Sequence, residues 1–182
     1  MNIKEGRESI LNARAIALVG IMAATLECGK LVLSFIPNVE VVTLLVALYG
    51  YVFGGLGIIA AAVFVCIEPL IWGFGSWFIT YIIYWPLVAA VFMLLRRRKI
   101  TSRLWLTLCA VGLTLLFGVL SSAIDSAFLL GINENYLANL LLYYARGIVF
   151  YLVQIVTNGV LFPTVFNFLS KKLELVKASF GL

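Results

Sequence analysis

The sequence predicts an all-α integral membrane protein, a bundle of six transmembrane helices with both termini in the cytoplasm. Of its 182 residues, 64% are hydrophobic and only 12% are charged, and the mean hydropathy is +1.12. A soluble domain contains about 45–50% apolar and about 25% charged residues, and a chain of this length cannot bury so much apolar surface in water. Disorder is excluded as well, because it requires few apolar residues and many charges.

Six apolar segments follow one another within a single membrane domain of residues 1–182. A spanning helix needs about 20 mostly apolar residues. The predicted helices cover residues 15–36, 41–53, 57–71, 77–95, 104–130 and 137–169. The second and third are short, so one fused helix is the alternative. It would leave five spans and place the two termini on opposite sides of the membrane.

Local signals separate the predicted helices. Glycine and proline interrupt regular helix, and they occur at Pro37 after the first helix, at Gly54 after the second and at Gly73 after the third. Four consecutive basic residues, 96–99, follow the fourth helix, and the polar sequence GINENY precedes the sixth. Each of the first five predicted helices therefore ends at a residue type that disfavours its continuation through the membrane.

The basic residues predict the orientation of the bundle. Positive charge favours the cytoplasmic side of a membrane, and eleven of the thirteen Lys and Arg residues lie in segments that six spans place on one side. They are Lys4, Arg7, Arg14, Arg96, Arg97, Arg98, Lys99, Arg103, Lys171, Lys172 and Lys177. The formal net charge of +5 is thus a topology signal, with attraction to anionic lipid as a secondary effect. We expect no nucleic-acid partner.

Several chemistries lack the residues that would perform them. The chain has no His, which is the commonest metal ligand and a frequent general base, and its three cysteines lie far apart in apolar runs, so we expect no metal and no cofactor. No nucleotide-phosphate loop, HExxH or GxSxG motif occurs. We therefore predict a protein that is not an enzyme. The alternative, an enzyme acting on lipid, would need a carboxylate pair such as Glu27 with Glu68 or Asp125.

Seven charged residues lie outside the basic clusters, in the middle or outer part of the predicted bundle. They are Glu27, Lys30, Glu40, Glu68, Asp125, Glu134 and Arg146. A charge at the centre of a spanning helix costs about 2.5–3.5 kcal/mol, so such residues indicate function by default. Their shared bias predicts a polar cavity open to the outside. The alternative is internal pairing, for which Glu27 and Lys30 have the spacing; Glu68 is equally a ligand contact or an internal partner.

Two helices carry candidate substrate-binding residues. The fourth has an aromatic face whose inner members lie about 10–12 Å below its first tryptophan, too deep for an interfacial belt. The sixth has a polar stripe that must face the interior, of which Gln154 and Asn158 are expected to bond neighbouring helices. Aromatic walls with a few polar groups are typical of small-ligand sites. The candidates are Trp77, Tyr81, Tyr84, Trp85, Asp125, Asn139, Tyr143 and Arg146.

Small residues recur on the first helix. Ala13 and Ala17 are four residues apart, as are Gly20 and Ala24, and this spacing lets helices approach closely. Together with an outward cavity and no ATP-binding motif, this face predicts a partner that docks near the cytoplasmic side. Packing inside the bundle is the alternative.

The chain resembles the substrate-binding S components of energy-coupling factor (ECF) vitamin transporters in its size, its six spans and its small-residue first helix. The most similar stretches are ARAIALVGIMAATLECGKLVL and PNVEVVTLLVALYGYVFGGLGIIAAAV. The resemblance implies a subunit that captures a micronutrient outside the cell and delivers it with a transmembrane coupling subunit and two ATPases. It also implies that an AxxxA pattern, matched by Ala13 and Ala17, contacts the coupling subunit. Gly20 and Ala24 are the alternative register.

The resemblance leaves the vitamin open. Cobalamin is the first expectation, because many aromatic residues and a glycine-flanked outer loop suit a large ring system. Riboflavin and pantothenate follow, and an anionic vitamin such as pantothenate would use Arg146 or Lys30. A stand-alone proton-coupled secondary carrier, working through Glu68 or Asp125, is the alternative function.

Overall fold

A computed structural model describes residues 13–181, and all regular secondary structure within them is helical. The helices are α1 (Ala13–Leu33), α2 (Val42–Phe53), α3 (Gly55–Trp72), α4 (Ser76–Arg97), α5 (Arg103–Leu130), α6 (Tyr136–Leu161) and α7 (Asn167–Ser179). A π-helical turn, Phe162–Phe166, joins α6 to α7 without a break. The predicted all-α class is confirmed for these residues. The N-terminal leader, with Lys4 and Arg7, lies outside them.

Five helical segments are long and apolar enough to cross a membrane, namely α1, α3, α4, α5 and the continuous helix Tyr136–Ser179. They support a helical membrane protein, as the composition predicts. By contrast, α2 has only 12 residues, about 18 Å by helical rise, whereas a hydrocarbon core is about 30 Å thick. The six-span count and the cytoplasmic location of the termini stay predictions.

Successive helices run between two ends of the bundle. At one end the start of α1 approaches the chain after α7, because a Cβ on Gly181 would lie 3.3 Å from Arg14 Nη1. At the same end Arg96, which closes α4, pairs with Glu174 of α7 at 2.7 Å. This is termed the basic end, and the opposite one the cavity end. The basic end carries Arg14, Arg96, Arg97, Arg98, Lys99, Arg103, Lys171, Lys172 and Lys177.

Two helix ends differ from those that the sequence predicts. The first helix ends at Leu33, three residues early, because the chain turns at residues 34–38, where Asn38 has φ 63°. The last helix does not stop at residue 169 but continues to Ser179, since the π turn accommodates Pro163, which has no N–H to donate. The predicted break between α2 and α3 is confirmed at Gly54, whose φ is 61°.

The centre of the bundle is α2. All its residues except Leu45 are buried, and it packs against α3 and α4. Two glycines allow the close approach: a Cβ on Gly50 would lie 2.1 Å from the Ala89 carbonyl oxygen of α4, and one on Gly57 would lie 2.3 Å from the Tyr49 carbonyl carbon. Because its neighbours are protein rather than lipid, α2 does not need the length of a helix that spans a bilayer alone.

Candidate ligand-binding site

A partly enclosed cavity of about 460 Å³, including the part that opens to solvent, lies between the middle of the bundle and the cavity end. Each of the helices α1 to α6 contributes to it, together with the loop before α2. The lining residues are Lys30, Glu40, Val42, Thr43, Phe64, Tyr81, Tyr84, Trp85, Thr114, Phe117 and Gln154. Small-ligand pockets have mostly apolar walls with a few polar groups. The lining of this inner cavity has that composition.

Aromatic side chains of α4 and α5 form one wall of the inner cavity. The ring centroid of Tyr84 lies 4.9 Å from that of Trp85 and 4.8 Å from that of Phe117. Tyr81 lies 5.5 Å from Trp85. The structure therefore brings three of the sequence-predicted residues together, and we refer to these four rings as the aromatic wall. Trp77 contacts Tyr81 edge-on at 5.2 Å, one turn closer to the cavity end.

A hydrogen-bonded polar network lies beside the aromatic wall. Glu40 accepts hydrogen bonds from the Thr43 backbone N–H (2.8 Å) and hydroxyl (2.6 Å), which satisfies a free N–H in the first turn of α2. The amide of buried Asn158 donates to Glu40 (3.2 Å) and to the Thr114 hydroxyl (3.1 Å). The Tyr84 hydroxyl lies beside both threonines. The network thus ties α2, α4, α5 and α6 together.

Lys30 reaches the inner cavity from α1 and forms an ion pair with Glu68 of α3. Its ammonium also lies 5.2 Å from the Trp72 ring centroid and 5.3 Å from that of Tyr81, within the range of a cation–π contact. Glu68 is fully buried and Glu27 nearly so, and their two carboxyl groups interact with each other. Both oxygens of Glu27 lack a well-aligned hydrogen-bond partner in residues 13–181. Lys30 thus pairs with Glu68, not with Glu27.

A second, more open cavity of about 660 Å³, including the part that opens to solvent, lies closer to the cavity end. Its lining residues are Lys30, Leu33, Ser34, Ile36, Asn38, Val39, Glu40 and Trp72. This vestibule shares Lys30 and Glu40 with the inner cavity, so the two spaces are neighbours. A molecule that enters from the cavity end would pass these two side chains before it meets the aromatic wall.

Five sequence-predicted residues line neither cavity, namely Trp77, Asp125, Asn139, Tyr143 and Arg146. Asp125 accepts a hydrogen bond from the Ser76 hydroxyl (2.5 Å) at the start of α4. Asn139, Tyr143 and Arg146 lie on the first turns of α6. Arg146 is exposed, and its guanidinium carbon lies 5.8 Å from the Tyr143 ring centroid. Because α6 packs chiefly along α5, these turns stand beside α5 and away from the aromatic wall.

Some lining residues are not among those that the sequence predicts: Glu40, Thr43, Thr114, Phe117 and Gln154. The sequence places Glu40 at an outer helix end, whereas the turn at residues 34–38 brings it against the bundle. An acidic residue just before an apolar helix stabilises the helix N-terminus. The position of Glu40 just before α2 is such a signal in the sequence. The polar stripe of α6 predicts the face of the helix that points to the bundle interior. Only the later turns of α6, at Gln154 and Asn158, reach the site.

The small residues of α1 face away from the bundle. Ala13, Ala17, Gly20 and Ala24 are all exposed, and a Cβ on Gly20 would meet nothing within 4 Å. Other positions of α1 make its contacts with α2 and α3. The small-residue face is therefore not used for packing among the described helices, and it is open to lipid or to a partner.

No family model, curated protein or solved structure matches this chain. In the part of the chain that the structure describes, no group of three His, Cys, Asp or Glu side chains is placed to hold a metal ion. The function is therefore inferred from the inner cavity, its charges and the outward face of α1.

Proposed function

We propose that this chain is the substrate-binding S component of an ECF-type importer in the cell membrane, and that it captures a vitamin or related micronutrient outside the cell. The observation that carries the proposal is the inner cavity, to which α1 to α6 all contribute. Its vestibule lies toward the end opposite the basic residues. Because positive residues favour the cytoplasm, the cavity end faces outward in this proposal and both termini are cytoplasmic.

The energy for import would come from partner subunits. The sequence contains no nucleotide-phosphate loop, so ATP hydrolysis belongs to two ATPases that act through a transmembrane coupling subunit. The small-residue face of α1 offers a surface on which a helix of that subunit packs closely. The exposure of Ala13, Ala17, Gly20 and Ala24 supports this docking role.

The volume of the inner cavity bears on the choice of vitamin. Cobalamin, the first expectation from the sequence, combines a corrin ring with an attached nucleotide and is far larger than riboflavin or pantothenate. The inner cavity measures about 460 Å³ only when the space that opens to solvent is included. It supports a compact vitamin held in the inner cavity, whereas cobalamin would also have to fill the vestibule.

Affinity purification of the tagged full-length chain from its own membrane tests the proposal. Two ATPases and one coupling subunit should co-purify with it, and mass spectrometry should identify one micronutrient released on denaturation. Transport in proteoliposomes should require the complete complex and ATP. Uptake that a proton gradient drives in proteoliposomes containing this chain alone would contradict the proposal.

Ala17→Trp is expected to block assembly with the coupling subunit while leaving the inner cavity intact. The indole would prevent close helix approach on the small-residue face, and we expect recovery of the ATPases to fall about tenfold, equivalent to about 1.4 kcal/mol. Leu152→Trp, at an exposed position of α6, is the matched control and should assemble normally. If both variants recovered the ATPases equally well, this face would not be the docking surface.

Tyr81→Leu is expected to lower the amount of co-purified small molecule about tenfold, because it removes an aromatic face from the inner cavity. Arg146→Ala, which removes an exposed charge from α6 away from that cavity, should leave the amount unchanged. Quantitative mass spectrometry of equal quantities of purified protein makes the comparison. A larger loss with Arg146→Ala would place the ligand beside the first turns of α6 instead.

A stand-alone proton-coupled carrier is the second candidate, and one observation favours it. Glu27 and Glu68 interact with each other and share a single ammonium, that of Lys30, and ionisable residues inside a membrane mark proton pathways. Asp125, the other residue considered for coupling, is bonded to Ser76 and lies away from this group. The proteoliposome experiment separates the two functions, since only the carrier transports without ATPases.

A further inference from the structure

Lys30 and Glu40 are the charged side chains that line the inner cavity, and the charge around it is net negative once the partner of Lys30 is counted. Lys30 is neutralised by Glu68. Glu40 has only neutral hydrogen-bond partners among the described residues, on Thr43 and Asn158, and the first turn of α2 supplies only about half a positive charge. No other Lys or Arg within residues 13–181 lines the cavity. A cation would therefore meet a favourable charge there, and an anion an unfavourable one.

The aromatic wall favours the same sign of ligand charge. The faces of aromatic rings are negative and attract cations, as the position of the Lys30 ammonium near the Trp72 and Tyr81 rings illustrates. Glu40 lies within electrostatic reach of the Tyr81 and Tyr84 hydroxyls. Aromatic rings grouped around a cation are the arrangement that recognises organic ammonium ligands, and the carboxylate adds a formal counter-charge.

Two buried polar atoms at the site lack a partner within the described residues. Trp85 Nε1 is a donor, and Asn158 Oδ1 is an acceptor. Buried polar groups in native proteins are as a rule hydrogen-bonded. Trp85 lines the cavity, and Asn158 bonds to two residues that do. Both unpartnered atoms thus belong to residues that line the inner cavity or bond to its lining.

We propose that the inner cavity binds a compact, flat organic cation, with a protonated or quaternary ring nitrogen against Glu40 and the ring against the aromatic wall. The inference rests on the proposed function, since it takes this cavity as the capture site, and it narrows the substrate class. Pantothenate is disfavoured because its carboxylate would meet Glu40. Riboflavin, which is neutral, would gain nothing from that charge.

Three small probes of similar size test the proposal on the purified full-length chain. 1-Methylnicotinamide is a flat cation, nicotinamide is its neutral analogue, and nicotinate is an anion. Quenching of tryptophan fluorescence reports binding, because Trp85 lines the cavity. We expect the cation to bind at least about tenfold more tightly than nicotinamide, and nicotinate to bind most weakly.

Glu40→Gln should abolish the preference for the cation over nicotinamide, because it removes the negative charge while the amide keeps an oxygen for the Thr43 N–H. Glu134→Gln is the matched control: it removes an exposed carboxylate from the loop between α5 and α6 and should keep the preference. Glu40→Asp provides a second test if Glu40→Gln does not fold. This variant keeps the negative charge but places it one methylene farther from the ligand. We therefore expect the affinity for the cation to fall.

The outcomes separate this inference from the proposed import function. Equal or tighter binding of nicotinamide or nicotinate, or no binding of any probe, would overturn the cation proposal, while recovery of the ATPases decides the import function independently. A preference that persists in Glu40→Gln would also overturn it, because the cation would then bind elsewhere. If Glu40→Gln loses the preference for the cation but no ATPases co-purify with the parent chain, the cation site is supported and the import function is contradicted.

Discussion

Gly50→Ala is expected to destabilise the bundle by about 3 kcal/mol or more, the upper range for overpacked interiors. The added Cβ would lie 2.1 Å from the Ala89 carbonyl oxygen and 2.7 Å from its Cα. These are backbone atoms of α4, so no side-chain rotation relieves the contact. The two helices must separate, although α2 packs against α4 along the centre of the fold. A large fall in the thermal midpoint of the purified protein in detergent is the expected measurement.

Gly112→Ala is the control for that experiment. Gly112 lies within α5, and a Cβ there would meet nothing within 4 Å. Because alanine is the better helix former by about 0.8–1 kcal/mol, this variant should be as stable as the parent or slightly more so. If Gly50→Ala melted at the same temperature as Gly112→Ala, the close contact of α2 with α4 would be wrong.

Lys30→Met is expected to cost about 3–5 kcal/mol, because it leaves Glu68 fully buried without its counter-charge. A second change, Glu68→Leu, should recover most of this loss, since replacing a complete buried pair by apolar side chains is often neutral. The free energy of unfolding is measured for the parent, both single variants and the double variant, which together form a double-mutant cycle. The cycle should give a large coupling energy for the pair.

Arg96→Met supplies the matched comparison for the buried pair. The pair formed by Arg96 and Glu174 has a similar charge arrangement but is exposed, with 49% and 37% of the two side chains accessible. Exposed pairs contribute about 0–1 kcal/mol, so this variant should be close to the parent in stability. Equal effects of Lys30→Met and Arg96→Met would argue that Glu68 is not held in a buried ion pair.

Most helix boundaries could be predicted because their signals are local. Gly54, Gly73 and Gly131 each adopt positive φ at a helix end, a conformation that glycine tolerates without a steric cost. The end of the last helix could not be predicted in this way. A proline such as Pro163 either ends a helix or is accommodated by a π turn. Here the π turn forms, and it places Phe162 and Phe166 in the core. That outcome depends on tertiary packing.

The sequence predicts only those residues of the candidate site that lie together on one helix. The aromatic wall follows largely from the helical period of α4, so Tyr81, Tyr84 and Trp85 could be identified together. Glu40 and Gln154 could not, because their roles depend on where distant helices converge. A polar stripe gives the face of a helix that avoids lipid, but it does not give the depth at which neighbouring helices enclose a space.

The short, buried α2 also constrains how the chain enters the bilayer. Its 12 residues extend about 18 Å, too little to act as an independent stop-transfer segment in a core about 30 Å thick. Gly54 joins it directly to α3, which is long and apolar enough to span. We therefore expect residues 42–72 to enter the bilayer together, as one helical hairpin.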